Sequence, residues 1–287
     1  MTVPAAVIAA AFVAACRDEL EAPKPGNVHV FADGHRMSVA DFLRSAEAAA
    51  GPLTESGARV GQRVLGAVAA TRATVETNTN LGIILLCAPL AAAAETAATS
   101  LRDALAHVLQ GLDVADADLV FQAIALAAPG GLGDAERHDV HAPAAVPLGQ
   151  AMAEAAERDR IAYQFSTGFA DIFDCGLAEF DTASRRWPHS QWVALAVYLG
   201  FLAAFPDTHI VRKYGTAAAD EVRGRATAFK RRLNATGEPD ALLGDLLAWD
   251  GELKAADLNP GTSADLTVAT LFAHRLIGIL PRAPNSG

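Results

Sequence analysis

The amino-acid sequence predicts an all-α fold, built as a single domain over its 287 residues. Alanine, the strongest helix former, supplies much of a hydrophobic fraction of 52%. Apolar residues recur at helical spacing, whereas valine, isoleucine, threonine and tyrosine do not gather into the alternating runs that are typical of strands. A chain of this length can bury a large core. We therefore expect a compact multi-helix domain in which polar turns rich in Gly and Asn, at helix N-termini, form the active site.

The composition also excludes several classes of partner. A formal net charge of −10 disfavours nucleic acid, because phosphate backbones are bound by basic surfaces. The widely spaced Cys16, Cys87 and Cys175 predict neither a disulfide framework nor a metal knuckle, which favours a cytoplasmic protein. The N-terminal apolar run lacks the positive charges of a secretory signal, and Ile83–Ala94 is too short to span a membrane.

The first helix is predicted from Pro4 to Glu21 and ends at a loop that holds two prolines. Proline and Gly26 let main-chain N–H groups of this loop approach an anion, and Lys24 adds a positive charge for phosphate. His29 follows between two valines and is a candidate proton carrier. A surface turn followed by a structural histidine explains the same residues equally well.

The second helix is predicted from Ser38 to Leu53, with Ser38 and Asp41 as a capping box at its start. Asp41 and Ser45 are four residues apart and therefore share a face. A third helix is predicted from about Gly57 to Arg72.

A cluster of uncharged polar side chains precedes the longest apolar run of the chain. Thr77, Asn78, Thr79 and Asn80 stand directly before a glycine and the apolar run, and one helix cap needs fewer such residues. The pattern predicts a ligand-facing turn at the start of a buried helix, although a well-capped core helix is the alternative. Helix is predicted to continue from Glu95 to Gln110.

The next helix, Asp116 to Ala128, is predicted to end at a glycine-rich loop. Gly130 and Gly131 exceed what a helix stop requires, so their N–H groups could contact phosphate. A possible metal site follows, with Asp134, Glu136, His138, Asp139 and His141. Oxygen ligands favour magnesium, the two histidines would suit zinc, and a solvated acidic loop is the third interpretation.

The C-terminal half begins with the longest predicted helix, Pro147 to Gly176, in which Asp159, Tyr163 and Gln164 are polar among apolar residues. A linker from Asp181 to Pro188 and a helix from Gln191 to Phe205 are predicted next. The segment 205–215 then combines a carboxylate, an imidazole and two cations.

The last predicted turn follows a basic helix around Arg223 to Arg232 and a helix from Asp240 to Ala256. It opens the final helix and contains Asn259, Gly261, Thr262 and Ser263, with Thr262 and Asp265 as a capping box. Small polar groups at a buried helix N-terminus bind anions readily.

Six of these motifs, in this order over about residues 23 to 275, resemble the triphosphoribosyl-dephospho-CoA synthase family: KPGNV, the DFLRS helix, TNTNLG, PGGLG, DTHIVRKYG and NPGTSADL. The resemblance implies an all-helical enzyme that moves a triphosphoribosyl group from ATP to a hydroxyl of dephospho-CoA and releases adenine. Citrate-lyase-associated members carry His and Lys where this chain has Asn80 and Leu81, and an RGE-containing loop where it has Gly130–Asp134. In these features it looks more like the archaeal and methylotroph branch, which implies phosphoribosyl transfer in tetrahydromethanopterin synthesis.

Transfer at an anomeric carbon passes through an oxocarbenium-like state, so the site needs a carboxylate, a base for the attacking hydroxyl and charge that holds the donor phosphates. Magnesium would offset repulsion between phosphates and carboxylates in so acidic a protein. For catalysis we predict Asp139, Asp159, His29 and His209, and for the metal Asp139 and Asp265. For substrate and phosphate binding we predict Lys24, Gly26, Asn27, Ser45, Thr77, Asn78, Thr79, Asn80, Gly130, Gly131, Lys213, Asn259, Gly261, Thr262 and Ser263.

Three functions remain open at this stage. The first is a transferase that joins a small nucleotide or sugar-phosphate donor, ATP or phosphoribosyl pyrophosphate, to a hydroxyl acceptor. The second is a nucleotide-binding regulator without chemistry, and the third is a hydrolase that uses water as its acceptor. The sequence leaves a homodimer open and does not name the acceptor.

Overall fold

Helices supply the regular structure in the parts of the chain that the computed structural model describes, residues 2–35, 37–75, 77–96, 100–129 and 140–281. This confirms the predicted all-α class. A π-helical turn at Asp171–Gly176 and a 3₁₀ turn at Pro239–Leu242 accompany the α-helices. The α-helices are α1 (Ala5–Glu21), α2 (Val39–Leu53), α3 (Val60–Thr74), α4 (Leu81–Ala94), α5 (Leu101–Gln110), α6 (Val114–Ala127), α7 (Leu148–Ala155), α8 (Arg160–Thr167), α9 (Leu177–Ser184), α10 (Ser190–Ala204), α11 (Thr208–Tyr214), α12 (Thr216–Ala235), α13 (Leu243–Ala255) and α14 (Gly261–Ile279).

The core is organised around α14, which packs against α1, α4 and α10. Helices α4 and α10 are apolar on nearly every face, and most of their side chains are buried. Helices that are hydrophobic all round belong in the interior of a domain, where other helices cover each face. One continuous hydrophobic cluster runs from α1 to the end of α14, so the described helices form a single body.

The predicted start of α2 is confirmed. Ser38 Oγ accepts a hydrogen bond from the Asp41 amide (3.2 Å), and Asp41 Oδ2 accepts one from the Ser38 amide (2.9 Å). This reciprocal pair satisfies two N–H groups that the first turn of a helix leaves unpaired.

The single long helix predicted from residue 147 to 176 is wrong. The first piece, α7, ends at Ala155, and Asp159 then starts α8 because its Oδ1 accepts from the amides of Ile161 (2.8 Å) and Ala162 (3.2 Å). Gly168, at φ +63°, ends α8 in the left-handed region, and the π-helical turn follows. The apolar spacing continues across both breaks, which is why it resembled one helix.

Three further boundaries differ from prediction. Helix α4 does not continue through Glu95, because α5 begins anew at Leu101 with Ser100 as its cap. The predicted linker at 181–188 is helical as far as Ser184. The capping box of Thr262 and Asp265 is wrong, since Pro260 precedes the first residue of α14 and both side chains lie inside the helix.

None of the described helices is by itself both long enough and apolar enough to cross a membrane; α10 and α11 together pass that test, but they are bent by 50°.

Candidate active site

A cavity of about 920 Å³ brings together turns that are far apart in the sequence. Its wall is built from the starts of α4 and α14, the connection between α7 and α8, helix α11 and the C-terminal end of α6. It includes many of the predicted site residues: Asn27, Thr77, Asn78, Thr79, Asn80, Asp159, His209, Lys213, Asn259, Gly261, Thr262 and Asp265. An apolar part of the same wall consists of Phe121, Ile124, Met152 and Ile161.

The turn before α4 is held by its own polar side chains. Asn78 Oδ1 accepts from the Leu81 amide (3.2 Å), and Asn80 Nδ2 donates to Thr71 Oγ1 (3.1 Å). Thr79 Oγ1 donates to Ser45 Oγ (2.6 Å). Ser45 is fully buried behind the cavity wall, so it positions Thr79, and the prediction that it binds substrate is wrong.

The start of α14 is joined to α11 by the buried carboxylate of Asp207. Its Oδ2 accepts from both the amide and the hydroxyl of Ser263, each at 2.8 Å, and its Oδ1 accepts from the His209 amide (3.0 Å). Because Ser263 is fully buried and both its donors are taken, its predicted phosphate contact is wrong. Thr262 Oγ1, which does line the cavity, accepts from the His209 amide (3.2 Å).

Asp265 is a carboxyl group of the cavity wall that lies near the start of α14. No hydrogen bond from the described residues reaches it, and it lies directly against Gly82, where a Cβ would come within 2.6 Å of Asp265 Cγ and closer still to Oδ2. Burial, followed by the charges of Asp207, Glu19 and Asp159, raises the pKa of Asp265 well above its usual range. Burial of a carboxyl group without hydrogen-bond partners lowers the stability of the fold. Such a group in a cavity wall indicates that it interacts with a ligand.

The imidazole of His209 also lies directly against a glycine, in this case Gly261. A Cβ on Gly261 would overlap His209 Nδ1, so glycine makes room for the imidazole at the start of α14. Burial, reinforced by the charges of Arg212 and Lys213, lowers the pKa of His209 to about 3. The ring is therefore neutral at neutral pH and can exchange hydrogen bonds with a bound hydroxyl.

Among the described residues, four cations line the same cavity, and the sequence predicted a phosphate contact only for the last of them: Arg72, Arg158, Arg212 and Lys213. Arg212 Nη1 lies 3.8 Å from Asp159 Oδ2, while its Nε is buried and has no hydrogen-bond partner in the described chain. Arg212 is adjacent to Lys213 on α11, and this neighbour was the feature of the sequence from which Arg212 could have been predicted as a phosphate ligand. A guanidinium with an unsatisfied N–H in a cavity is suited to phosphate oxygens.

Lys24, Gly26 and His29 do not line the cavity. Lys24 is wholly buried and forms an ion pair with Glu19, so its prediction as a phosphate ligand is wrong. His29 is also buried, with Nε2 3.4 Å from Asp250 Oδ1, and it cannot carry protons to a ligand in the cavity as predicted. The buried contacts of Lys24 and His29 anchor this loop to the interior of the protein.

Gly26 has a conformational role in that loop rather than the predicted ligand contact. Its φ is +82°, and its amide donates to Asp250 Oδ1 (2.9 Å). A Cβ there would lie 2.8 Å from Pro260 Cδ and 2.9 Å from the Leu258 carbonyl oxygen. Only glycine tolerates this approach, which sets the loop against the turn before α14.

The predictions for Gly130, Gly131 and Asp139 fall outside the described residues. Within the described residues, no group of three or more His, Cys, Asp or Glu side chains could hold a metal ion by itself. Asp265 is the predicted metal ligand that the structure places in the cavity.

Comparisons with known proteins agree with this architecture. A solved structure from Archaeoglobus fulgidus, described as a proposed triphosphoribosyl-dephospho-CoA synthase, superposes with a TM-score of 0.61 at 24% identity and covers 83% of this chain and 100% of its own. This likeness shows the shared fold. A comparison with curated protein sequences gives no match. The model of the family described as CitG, ATP:dephospho-CoA triphosphoribosyl transferase, matches residues 5–282. By this match the protein is an enzyme of the triphosphoribosyl-transfer type, with ATP as a substrate. The chain belongs to the ATP:dephospho-CoA triphosphoribosyl transferase family.

Proposed function

We propose that this chain transfers the triphosphoribosyl group of ATP to a hydroxyl of dephospho-CoA. The observation that carries the proposal is the composition of the cavity wall, where the unpaired carboxylate of Asp265 and the cations of α11 face one space. The apolar wall offers a surface for the adenine ring or for the uncharged arm of the acceptor.

The reaction breaks the bond between ribose C1′ and adenine and forms a bond from C1′ to the acceptor oxygen. The hydroxyl loses a proton, and the departing adenine takes one up. Positive charge develops at C1′ as the bonds exchange, and we place Asp265 beside it. We assign acceptance of the hydroxyl proton to Asp159 or the neutral His209, both of which line this cavity. Arg212, with Lys213, binds the triphosphate.

The test is incubation of the purified protein with ATP and dephospho-CoA, followed by chromatography for adenine and mass spectrometry of the acceptor. We expect adenine release that depends on dephospho-CoA, with a product heavier by one triphosphoribosyl group. Adenine release without an acceptor would instead support a hydrolase. ATP binding without turnover for any acceptor would support a nucleotide-binding regulator.

A second candidate is phosphoribosyl transfer from phosphoribosyl pyrophosphate to an alcohol of the tetrahydromethanopterin pathway. It was the first interpretation of the sequence, but the family match supports dephospho-CoA better. The observation in its favour is that Asn80 and Leu81 line the cavity without charge, where citrate-lyase-associated members carry His and Lys. Pyrophosphate release that requires a pterin-pathway alcohol, with none from dephospho-CoA, would establish it.

Magnesium fits the surroundings of Asp265. Glu19, Asp159 and Asp207 make this region strongly negative, and the substrate phosphates would complete the coordination, as is usual for Mg²⁺. The ion would reduce the repulsion between phosphates and carboxylates. We expect EDTA to abolish adenine release and excess MgCl₂ to restore it. Full turnover in EDTA, with no divalent ion detectable by elemental analysis, would contradict this assignment.

Arg212→Met is expected to raise the KM for ATP by roughly 10- to 100-fold, the value of one or two charge-assisted hydrogen bonds. The methionine keeps much of the side-chain bulk, so the cavity shape is retained. Arg231→Met, on the exposed face of α12, is the matched control. Steady-state kinetics of adenine release measure both, and an unchanged KM in Arg212→Met would remove Arg212 from the phosphate site.

Gly82→Ala is expected to lower kcat by at least about tenfold, because its methyl group would displace the Asp265 carboxylate. Alanine is the better helix former by about 1 kcal/mol, so α4 itself should not be weakened. Gly224→Ala, inside α12 with nothing near its Cβ, is the control that isolates the steric effect. A Gly82→Ala enzyme with wild-type kcat would show that the carboxylate position does not matter.

A further inference from the structure

Three side chains form a hydrogen-bonded series from the interior to the cavity, which we name the amide relay: Lys24, Asn27 and Asn259. Lys24 Nζ donates to Asn27 Oδ1 (3.1 Å), and Asn27 Nδ2 donates to Asn259 Oδ1 (2.8 Å). Asn259 lines the cavity, yet only 8% of it is exposed. Its Nδ2 receives no partner from the described residues. The relay therefore ends in an amide nitrogen at the cavity wall.

The direction of the relay is set by the chemistry of lysine. An ammonium group has three donors and no acceptor, so Asn27 must turn its oxygen toward Lys24 and its nitrogen toward Asn259. Asn259 must then turn its oxygen toward Asn27 and its nitrogen toward the cavity. Lys24, which does not reach the cavity, thereby fixes Asn259 as a hydrogen-bond donor.

Glu19 supplies an acceptor in the same region. It lines the cavity although only 3% of it is exposed, and its ion pair with Lys24 uses Oε1. Its Oε2 has no hydrogen bond from the described residues. The nearby Asp265 adds a second carboxyl group, and neither acidic side chain offers a phosphate group the N–H donors or the positive charge that bind it directly. A neutral group that both donates and accepts suits the site, and a sugar hydroxyl has that property.

We propose that Asn259 Nδ2 and Glu19 Oε2 form a subsite for a hydroxyl of the ATP ribose, with Lys24 and Asn27 as positioning residues. This assignment rests on the proposed use of ATP as donor. It places the ribose ring beside Asp265, which is where the reacting C1′ must lie.

The test measures binding of ATP, 2′-deoxy-ATP and 3′-deoxy-ATP by calorimetry, without acceptor, to the wild-type protein and to Asn259→Leu. One deoxy analogue should bind the wild type about tenfold more weakly than ATP, the value of one hydrogen bond. In Asn259→Leu, ATP should bind about as weakly as that analogue, and the difference between them should fall below about twofold. Equal affinity of the wild type for all three ligands, or equal discrimination by both proteins, would overturn the proposal.

Asn27→Asp tests the positioning role. The new carboxylate still accepts from Lys24 but cannot donate, so Asn259 must turn its nitrogen inward and its oxygen toward the cavity. One hydroxyl has one hydrogen and cannot satisfy two acceptors, so discrimination between ATP and the deoxy analogue should be lost. A general structural defect would weaken all three ligands alike and would overturn the relay.

The two proposals fail in distinguishable ways. A wild-type protein that neither binds ATP nor releases adenine refutes the proposed function. A protein that turns ATP over normally but binds ATP and both deoxy analogues with equal affinity refutes the subsite alone. If Asn259→Leu does not fold, as judged by circular dichroism, the wild-type comparison of the three ligands still decides whether a hydroxyl is recognised.

Discussion

Asp265→Asn is expected to reduce kcat for adenine release by about 100-fold or more, the usual range for the loss of a catalytic carboxylate. The physical reason is that asparagine has nearly the same shape but cannot balance positive charge at C1′ or on a metal ion. Because Asp265 has no hydrogen-bonding partner among the described residues, the substitution should not destabilise the fold. Removal of a desolvated carboxyl group that has no hydrogen-bond partner should leave the melting temperature unchanged or raise it.

The measurement pairs single-turnover kinetics with thermal unfolding. Asp181→Asn, an exposed carboxylate on α9, is the control and should change neither quantity. A large fall in kcat together with a stable protein would identify a residue that serves function at a cost in stability. Wild-type kcat in Asp265→Asn would show that the reaction does not use this carboxylate.

Lys24→Met is expected to lower the free energy of unfolding by about 3–5 kcal/mol, the range for removing one partner of a buried ion pair. Lys24 is wholly buried, and its removal would leave Glu19 without its counterion. The double variant Glu19→Gln/Lys24→Met removes both charges and should recover much of the lost stability. Urea unfolding, monitored by circular dichroism, gives the three free energies.

The double variant also separates two roles for Lys24. A lysine that bound phosphate would leave the unfolding free energy nearly unchanged when replaced, and Glu19→Gln would rescue nothing. A single variant that is as stable as the wild type would therefore contradict the buried pair.

Some helix starts were predicted correctly from local signals, where the stabilising partner lies within a few residues. The start of α2 is an example, because Ser38 and Asp41 satisfy each other across one turn. For the turn before α4, the amide-rich composition left a ligand-facing turn and an ordinary capped helix open, and the structure places the turn in the cavity wall. Each of these conclusions depended on neighbours that the sequence itself displays.

Several errors arise where tertiary packing determines the environment. Lys24 looks like an exposed cation in a proline-rich loop, and nothing in the loop shows that it turns inward to Glu19 on α1. Ser263 looks available for phosphate, but Asp207, 56 positions earlier, takes both its donors. The helix predicted across 147–176 is a different case, because local features, capping by Asp159 and the left-handed Gly168, outweigh the apolar periodicity.

The close contact between Gly82 and Asp265 has an evolutionary consequence. Any side chain at position 82 would collide with the carboxylate, so position 82 cannot change while Asp265 keeps its place. In an alignment of related sequences, glycine at 82 and aspartate at 265 should therefore be inherited as a pair. Lineages that have replaced the aspartate should be the ones in which position 82 is free to drift.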